Sequence, residues 1–333
     1  MIIVRTPMRI SYVGGGSDFY KHFNSDFGSV TGTTINQYIY VYSKALSEVA
    51  PERIRFTYRQ TESVNEVSSL QHPVLRATLQ ELDWETPINV GTFSELPAGV
   101  GLGGSSAFTV GLLNMLNHRQ GSHTDPRALA KAAIRIEREI LEEYGGIQDQ
   151  YHAAFGGFRN YRFSNKGVVV SDLLLQEDAI SMLNKQQMLV WVDEPRNSSL
   201  QAQITAQHLD KGVSQFISES ARVSEELFQS IQKTRDPREQ FRFLVKAVND
   251  GWNLKMKYTS QISDAVKKII ELGFANGASA AKLCGAGGSG FVLMLFEENQ
   301  LERLKKAFEN YKIIWPKITN RGSEIIFQEI DET

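Results

Sequence analysis

Three glycine-rich clusters and one acidic segment contain the residues of this sequence that are best suited to chemistry. The central cluster is PAGVGLGGSSA, residues 97–107, and the run from Ser105 to about Asn117 is apolar on most sides, which indicates a buried helix. Glycines expose backbone N–H groups, and a helix directly behind them adds its positive end. The cluster therefore favours a phosphate site, in which Ser105 and Ser106 supply hydroxyls that hold Mg²⁺ or cap the helix. The alternative is a tight turn into a capped helix, but a plain turn rarely requires four glycines within six residues.

Two familiar phosphate-binding patterns overlap in the central cluster, and neither fits. Gly99, Gly101 and Gly104 have the spacing of the dinucleotide fingerprint. The acid about twenty residues further on, Asp125, precedes a proline at a predicted helix start, whereas the fingerprint needs an acid that ends a second strand. The cluster also has Walker A spacing, but Ser105 stands where that motif requires lysine. The pattern therefore predicts a third kind of phosphate loop.

The other two glycine clusters lie near the two ends of the chain. The first, RISYVGGGSD, runs from Arg9 to Asp18, and its acid could accept two hydroxyls of a carbohydrate. A glycine turn with Ser17 or Asp18 as a helix N-cap fits this segment equally well. The third cluster of the chain is KLCGAGGSG, residues 282–290, which has four glycines between two apolar strands. A simple hairpin needs fewer glycines, so close approach to a ligand accounts better for the pattern.

The acidic segment is GGIQDQY, residues 145–151, which follows the predicted helix that carries Glu137. An acid placed by a glycine turn, here Asp149, can orient or deprotonate a hydroxyl. A second acid on the neighbouring helix can complete a magnesium site with a serine hydroxyl. Taken singly, Asp149 fits a helix N-cap and Glu137 fits a solvated helix position equally well. Their order relative to the glycine clusters favours chemistry.

The elements that must position these segments change along the chain. The first ninety residues predict strands at IIVRT, MRISYV, SVTGTTINQYIYVYSKAL and INVGTF, with a helix over 71–83. A second helix begins at Thr124 or Asp125 and continues to about Tyr144. After the strand QMLVWV, residues 199–272 predict a long helical stretch that Pro237 divides, with Asp236 as N-cap. The tail returns to strands at SAAKL, GFVLML and EIIFQEI around a helix near 298–310, so the second half predicts an α+β domain.

Composition restricts the protein class without naming a reaction. The 333 residues exceed the usual single domain, and the formal charge of -2 gives no global attraction to nucleic acid or to an anionic membrane. No apolar run reaches the roughly 18 residues that a spanning helix needs, and the first residues lack the pattern of a signal peptide. Cys284 is the single cysteine, and the six histidines show no metal-site spacing. We therefore expect a cytoplasmic protein that binds neither nucleic acid nor membrane.

In their order along the chain, the four segments resemble the motifs of the GHMP kinases, which include galactokinase, homoserine kinase, mevalonate kinase and phosphomevalonate kinase. PAGVGLGGSSA resembles the signature Pro-x-x-x-Gly-Leu-Gly-Ser-Ser-Ala, with Gly104 where a serine is common. KLCGAGGSG resembles the third family motif, and its departures at Cys284 and Ser289 keep the backbone donors. GIQDQY resembles the galactokinase segment that holds the catalytic aspartate. The likeness spans residues 5–290.

The resemblance implies an α+β fold of two lobes with ATP and Mg²⁺ as cofactors in the cleft. The N-terminal lobe, residues 1–185, would be ribosomal protein S5 domain 2-like, and the C-terminal lobe, residues 186–333, ferredoxin-like. Asp149 would be the base or the orienter of the attacking hydroxyl, and Arg9 would lie near the transferred phosphoryl group. Ser105 and Glu137 would hold Mg²⁺, with Ser106 as the alternative to Ser105. The implied ATP-binding residues are Pro97, Gly99, Val100, Gly101, Leu102, Gly103, Gly104, Ser105 and Ser106. The implied substrate-binding residues are Gly16, Ser17, Asp18, Gly285, Ala286, Gly287 and Gly288.

Within the family, this sequence most resembles the D-glycero-D-manno-heptose 7-phosphate kinases. The segment GGGSD replaces Gly-Glu-His-Thr-Asp of galactokinase, and TTINQYIYV, GIQDQYHAAFGGF and WNLK add to the likeness. The implied reaction phosphorylates the anomeric hydroxyl to the 1,7-bisphosphate in nucleotide-heptose biosynthesis. A substrate phosphate requires a cationic pocket, for which the candidates are Arg159, Arg162, Arg196 and Lys255.

Other functions remain as alternatives to a heptose kinase. They are another GHMP sugar 1-kinase of the fucose or galactose type, a non-catalytic sugar and ATP sensor on the same fold, and a dinucleotide oxidoreductase. In the first two and in the heptose kinase, the partner is a small-molecule sugar or sugar phosphate. We expect a monomer or a homodimer.

Overall fold

The computed structural model describes residues 1–193, 214–259, 262–285, 287 and 290–329. Within them, the larger of two sheets is formed by β1 (Ile2–Val13), β2 (Gly28–Ala45), β3 (Ile54–Thr57), β4 (Thr61–Val64), β5 (Ile88–Ser94), β6 (Phe158–Ser164), β7 (Gly167–Asp172), β12 (Ile318–Thr319) and β13 (Glu324–Gln328). The strand order is β13-β1-β2-β5-β3-β4, while β12 and β6 pair with β2, and β7 pairs with β6. All these pairs are antiparallel except the parallel pair β3–β5.

The smaller sheet is antiparallel and belongs to the second half of the chain. Its strands are β8 (Gln187–Trp191), β9 (Ala278–Leu283), β10 (Phe291–Phe296) and β11 (Ile313–Ile314), in the order β11-β8-β10-β9. Every residue of β10 is buried, because this strand is central in the sheet. Such an uninterrupted apolar run is typical of a strand that is covered on both faces. The predicted boundary at 185/186 stays a prediction.

Helices pack on both sheets in the described part of the chain. They are α1 (Tyr20–Phe23), α2 (Pro73–Glu81), α3 (Gly104–Arg119), α4 (Pro126–Ile134), α5 (Gln148–Phe155), α6 (Glu177–Lys185), α7 (Ser214–Lys233), α8 (Pro237–Tyr258), α9 (Asp264–Ala275) and α10 (Leu301–Ala307). Short 3₁₀ turns occupy Val67–Ser69 and Glu298–Gln300. The combination of two antiparallel-dominated sheets with packed helices confirms the α+β prediction.

Two predicted helix starts are confirmed by their capping geometry. The Asp125 carboxylate accepts the backbone N–H groups of residues 127 and 128 at the start of α4. Asp236 does the same for residues 238 and 239 at the start of α8. In both cases a proline occupies the first helical position, where its missing N–H costs no helical hydrogen bond. These helices therefore begin where local chemistry dictates.

The predicted buried helix after the central glycine cluster is α3. Val110, Leu112 and Leu116 have no exposed surface, and buried residues occupy all sides of the helix. The helix packs against β1, β2 and α5. The glycine loop at the N-terminus of α3 therefore lies near residues of β1 and α5, which carry Arg9 and Asp149.

Other predictions from the sequence are corrected. The helix expected to continue to about Tyr144 is α4 only as far as Ile134, and a π-helical turn follows at Arg135–Ile140. The strand in EIIFQEI joins the larger sheet beside β1, instead of the sheet of the second half, because β1 would otherwise present an unpaired backbone edge. The long helical stretch is α7, α8 and α9, and its portions at 199–213 and 260–261 lie outside the described residues. The hairpins β3–β4 and β6–β7 were not predicted.

Among the described residues, no helix combines the length and apolarity needed to cross a membrane.

Candidate active site

Arg9 and Asp149 form a two-pronged ion pair between β1 and the first turn of α5. The Arg9 Nε donates to Asp149 Oδ1 at 2.8 Å, and Arg9 Nη2 donates to Oδ2 at 2.9 Å. The third donor, Nη1, reaches the carbonyl oxygen of Gly101 at 2.6 Å. The Arg9 side chain is 7% exposed and that of Asp149 is 24% exposed, so the carboxylate remains open to a ligand. A paired guanidinium and carboxylate in this geometry form strong, directional hydrogen bonds. One arginine thus joins the first cluster, the central loop and the acidic segment.

The central loop lies directly against this ion pair. The Arg9 backbone N–H donates to the carbonyl of Leu102 at 2.9 Å, which ties the loop to β1. Gly99, Gly101 and Gly103 all have φ in the left-handed region, at 78°, 85° and 76°. A Cβ at Gly103 would lie 3.2 Å from Arg9 Cγ and 3.3 Å from Asp149 Oδ2. Glycine is therefore required there both by the backbone and by the close approach of the ion pair.

The N-terminus of α3 makes the loop suitable for an anion. The helix begins at Gly104, and the Ala107 N–H donates to the Gly103 carbonyl at 3.0 Å. The first N–H groups of a helix have no partner within it, and the helix dipole adds positive potential at this end. The loop and the helix start therefore place anion-binding groups beside Asp149, and their role as a phosphate site stays a prediction.

Glu137 is a buried carboxylate with one open oxygen. It lies on the π-helical turn after α4, and its Oε2 accepts from Ser106 Oγ at 2.9 Å and from Gln150 Nε2 at 2.6 Å. Arg138 Nη1 lies 3.4 Å from the same oxygen. Burial raises the pKa of Glu137, against the opposing charge of Arg138. The other oxygen, Oε1, is buried without a hydrogen-bond partner among the described residues.

This arrangement fits a magnesium ion, which typically takes one or two carboxylates together with substrate phosphates. The open Oε1 of Glu137 and the hydroxyl of Ser106 are the oxygen donors in the described structure. Ser105, the serine first predicted to hold the metal, is exposed at the start of α3. The serine that contacts Glu137 is thus the predicted alternative, and the metal role of Ser105 stays a prediction.

Asp18 is a buried carboxylate tied to two glycine-rich turns. Its Oδ1 accepts the Gly16 N–H at 3.0 Å, and its Oδ2 accepts the Gln148 N–H at the start of α5 at 3.1 Å. A Cβ at Gly146 would lie 1.8 Å from Asp18 Oδ2, which explains the glycine in GGIQDQY. Burial raises the pKa of Asp18, and the negative charge of Asp149 adds to the rise. Asp18 therefore lies close to Asp149 at the N-terminus of α5.

Ser17, also predicted to bind substrate, points inward. Its hydroxyl donates to the carbonyl of Gly14 at 2.7 Å and accepts the N–H of Ser29 at 3.1 Å. The side chain has no exposed surface. These bonds stabilise the turn of the first cluster, and a direct role of Ser17 in substrate binding stays a prediction.

The third glycine cluster approaches β1 from the smaller sheet. Lys282 Nζ, at the end of β9, donates to the carbonyls of Ser11 and Tyr12 at 2.8 and 3.0 Å, where the β1–β2 register shifts. Burial lowers the pKa of Lys282 to about 8, and the charge of Arg9 acts in the same direction. Gly285 and Gly287 are described, with φ of 74° and 128°, whereas Ala286, Gly288 and Ser289 lie outside the described residues.

The four candidate cations for a substrate phosphate are separated in the structure. Lys255 Nζ, on α8, donates to the carbonyl of Gly285 at 2.9 Å and therefore lies beside the third cluster. Arg159 pairs with Asp172 on β7 and donates to the Gly156 carbonyl. Arg162 is largely exposed and lies 3.3 Å from Glu225 on α7. Arg196 lies outside the described residues.

Sequence reasoning missed Gln150 and Lys282 as parts of the site. Gln150 has no exposed surface and joins Glu137 to α5, next to Asp149. A polar residue in a helix gives no signal of burial by itself, so Gln150 could be recognised only once the packing of α5 was known. Lys282 stands in the third glycine cluster, and a lysine within an otherwise apolar strand was an available signal.

Comparison with known protein families agrees with this geometry. Residues 69–157 match the family described as GHMP kinases N terminal domain, and residues 238–313 match the family described as GHMP kinases C terminal. The first match contains the central loop, Glu137 and Asp149, and the second contains Lys255 and Lys282. The chain belongs to the GHMP kinase family. Like the kinases of this family, it is an ATP-dependent phosphotransferase.

Individual relatives cover nearly the whole of this GHMP kinase. It is 28% identical over 332 residues to a D-glycero-alpha-D-manno-heptose 7-phosphate kinase of Campylobacter jejuni, with 92% of each chain covered. It is 23% identical over 338 residues to a galactokinase of Pyrococcus furiosus, again with 92% of each chain covered.

Solved structures share the fold. A D-glycero-D-manno-heptose 1-phosphate kinase of Bacteroides thetaiotaomicron superposes with a TM-score of 0.77 at 21% identity, covering 99% of this chain and 100% of that chain. The mevalonate kinase of Methanococcus jannaschii superposes with a TM-score of 0.72 at 18% identity, covering 96% and 98%. The predicted two-lobed GHMP kinase fold is thereby confirmed.

Proposed function

We propose that this GHMP kinase transfers the γ-phosphoryl group of ATP to the anomeric hydroxyl of D-glycero-D-manno-heptose 7-phosphate, which gives the 1,7-bisphosphate. The observation that carries the phosphotransfer is the Arg9–Asp149 ion pair beside the glycine loop and the start of α3. The heptose assignment is supported by the likeness over 92% of each chain to the Campylobacter jejuni heptose 7-phosphate kinase. The product would serve nucleotide-heptose biosynthesis.

Asp149 is the residue that we assign to the attacking hydroxyl. Its carboxylate is partly exposed, and Arg9 holds both oxygens in one orientation, so that it can orient the hydroxyl and accept its proton. An anomeric hydroxyl is more acidic than the other hydroxyls of a sugar, so a carboxylate base suffices. Arg9 also lies against the loop that we assign to the phosphates, where its charge stabilises negative charge in the transition state.

The glycine loop and the Glu137 cluster would serve ATP and its metal. Backbone N–H groups from Gly99 to Ser106 and the N-terminus of α3 would bind the phosphates. Glu137, with Ser106 or Ser105, would hold Mg²⁺, and this ion would neutralise charge on the phosphates. Gln150 and Arg138 keep the Glu137 carboxylate in place.

The substrate would lie between the first and the third glycine clusters. Asp18 is assigned to sugar hydroxyls together with the backbone of Gly16 and of residues 285–288. We assign the 7-phosphate to Lys255, since, of the candidate cations that the structure describes, it lies beside the third cluster. A charge-assisted hydrogen bond from an ammonium group to a phosphate is stronger than one between neutral groups.

Two alternative functions lead to different results in assays. A galactose-type or fucose-type 1-kinase would turn over an unphosphorylated sugar, as the likeness to the Pyrococcus furiosus galactokinase allows. A sensor without turnover would have no use for the Arg9–Asp149 pair and a buried Glu137 with an open oxygen.

A cytoplasmic location and a monomeric or homodimeric state stay predictions.

The deciding experiment is a coupled ADP-release assay on a defined panel. It contains D-glycero-D-manno-heptose, its 7-phosphate, its 1-phosphate, D-galactose and L-fucose, each with ATP and Mg²⁺. We expect the highest kcat/KM with the 7-phosphate, and phosphorus NMR should show a new phosphate ester coupled to H1. Equal efficiency on heptose and heptose 7-phosphate, or a product without that coupling, contradicts the substrate assignment and leaves phosphotransfer intact.

A further inference from the structure

Gly15 is the glycine of the first cluster that neither backbone conformation nor packing requires. Its neighbours Gly14 and Gly16 have φ of 92° and 98°, and a Cβ at Gly14 would lie 1.9 Å from the carbonyl oxygen of Ser29. Gly15 is outside the left-handed region. Among the described residues, a Cβ there would meet no atom closer than 3.7 Å, which is an ordinary contact. Alanine would therefore fit, and Gly15 itself is only partly buried among the described residues, so its position is within reach of another molecule.

Two polar side chains border that space. The atoms nearest to the position of a Gly15 Cβ are Gln148 Nε2 at 3.7 Å and Ser11 Oγ at 3.9 Å. Both side chains are at least nine-tenths buried, at 8% and 9% exposure. Neither Ser11 Oγ nor Gln148 Oε1 has a hydrogen-bond partner among the described residues. A buried polar atom without a partner loses about 1–3 kcal/mol. The unpaired Ser11 hydroxyl beside this space, together with the Gln148 carboxamide whose nitrogen borders it, therefore indicates a ligand that hydrogen-bonds to them.

The position of this space links it to the reacting end of the site. Gln148 directly precedes Asp149, and its backbone N–H binds the Asp18 carboxylate at 3.1 Å. Ser11 lies two residues after Arg9 on β1, and its carbonyl accepts a hydrogen bond from Lys282. The space is therefore bordered by the same strand and the same helix that hold the Arg9–Asp149 pair.

We infer that Ser11, Gly15 and Gln148 form a subsite for one neutral hydroxyl group of the sugar, and that the missing side chain at Gly15 makes room for it. The Gln148 amide nitrogen, which borders the space, donates to the oxygen of the sugar hydroxyl, and the Ser11 hydroxyl donates to the sugar hydroxyl or accepts from it. None of the three residues carries a charge, so the subsite suits a hydroxyl and not the phosphate. This inference rests on the proposed sugar kinase function, in which it determines which sugars fit.

The first test is Gly15→Ala, because the variant should fold normally. We expect the KM for heptose 7-phosphate to rise at least about tenfold, which is about 1.4 kcal/mol of lost binding. The kcat, the KM for ATP and the melting temperature should stay close to wild type. A sugar KM within twofold of wild type in the folded variant overturns the inference.

The second test removes the two polar groups. Ser11→Ala and Gln148→Met should each raise the sugar KM and reduce the rise in melting temperature that the sugar produces without ATP. The matched control is Ser43→Ala, since the Ser43 hydroxyl is also buried without a described partner, but pairs with Ile2 at the opposite end of β1. The control should change the melting temperature but not the sugar KM. If Ser11→Ala behaves in the same way, the role of Ser11 is structural and the inference is wrong.

The panel separates this inference from the proposed function. If wild-type enzyme prefers D-galactose or L-fucose to heptose 7-phosphate, the proposed function fails, and the variants are measured on the preferred sugar. A tenfold rise in that KM supports the subsite all the same, and an unchanged KM overturns it. If Gly15→Ala raises the KM for heptose 7-phosphate but not the KM for heptose, the space holds the phosphate, which contradicts the assignment to a hydroxyl.

Discussion

Arg9 binds both carboxylate oxygens of Asp149, at 2.8 and 2.9 Å, from a position 140 residues earlier in the chain. The same guanidinium donates to the Gly101 carbonyl, so the ion pair and the central glycine loop share one arginine. A displacement of any of the three segments changes the position of the carboxylate relative to the glycine loop. The geometry of the proposed transfer site is therefore sensitive to each of them.

The first prediction concerns this ion pair. Asp149→Asn should lower kcat by about 10²–10⁴-fold, the usual contribution of a general base, and change both KM values much less. Arg9→Lys should also lower kcat, because a lysine cannot bind both oxygens. The double variant should lose less than the product of the two losses, since the pair acts as a unit.

Arg5→Lys is the matched control for the ion pair. Arg5 lies on the same strand and pairs with Glu324 on β13, outside the candidate site. Its replacement should leave kcat near wild type in steady-state assays. Near-normal turnover of Asp149→Asn would instead reduce Asp149 to a structural residue of α5.

The second prediction concerns the metal. Glu137→Gln should raise the Mg²⁺ concentration for half-maximal activity by at least about tenfold, the smallest loss usual for groups that support a metal ligand. Ser106→Ala should have the same effect, and a larger one than Ser105→Ala, because the Ser106 hydroxyl contacts Glu137 at 2.9 Å. Magnesium titrations at saturating ATP measure all three.

Glu143→Gln controls for charge near the metal. Glu143 lies 3.8 Å from Arg138, the arginine that also contacts Glu137, but its side chain is 41% exposed. Its removal should leave the magnesium titration unchanged. Wild-type titrations for Glu137→Gln and both serine variants would contradict the metal site.

The third prediction compares two glycines with the same backbone conformation. Gly103 and Gly121 have φ of 76° and 75°, so alanine at either costs about 1–2 kcal/mol of stability. A Cβ at Gly121 meets no described atom within 4 Å, whereas one at Gly103 presses on Arg9 and Asp149.

Gly103→Ala should therefore lower kcat by at least about tenfold beyond any stability loss, since a small misplacement of reacting groups is costly. Gly121→Ala should lower the melting temperature and leave kcat unchanged. Equal kcat in both folded variants would show that the loop tolerates a side chain beside the ion pair.

The fourth prediction concerns the stability of the fold at alkaline pH. Burial lowers the pKa of Lys282 from 10.5 to about 8. Between these two values the unfolded chain binds a proton that the folded chain has released, so the contribution of Lys282 to the free energy of unfolding rises with pH. The free energy of unfolding of the wild type minus that of Lys282→Met should therefore increase by about 2 kcal/mol from pH 8 to pH 10.

Urea unfolding at a series of pH values measures this difference. Lys131→Met, which replaces an exposed lysine on α4, is the control and should show a constant difference. A constant difference for Lys282→Met as well would mean that the ammonium group is not desolvated in the folded protein.

The fifth prediction tests the cation for the substrate phosphate. Lys255→Met should lower kcat/KM for heptose 7-phosphate by about 10–100-fold, the range for one charge-assisted hydrogen bond, and affect heptose little. Arg162→Met is the control, because Arg162 is largely exposed and pairs with Glu225 on α7. Equal losses of Lys255→Met on both sugars would mean that Lys255 supports the Gly285 turn and not the phosphate.

The local features of this protein follow directly from its sequence. Asp125 and Asp236 cap the helices that their spacing predicted, because capping depends on residues within one turn. The apolar run after the central glycines forms the buried helix α3, because the pattern of apolar residues within one segment is also local information. The four segments that the structure brings together were also recognisable in the sequence, since glycine clusters and their acids are contiguous motifs.

Which atoms of those segments meet depends on the packing of distant elements. Ser105 and Ser106 are neighbours in the sequence, but consecutive residues of a helix point about 100° apart, so the packing of α3 decides that Ser106 faces Glu137. Gln150 became part of the site only because α5 packs its buried side beside that carboxylate. The pairing of β13 with β1 likewise joins residues from the two ends of the chain. Such contacts depend on how distant elements pack, and periodicity along one segment does not contain that information.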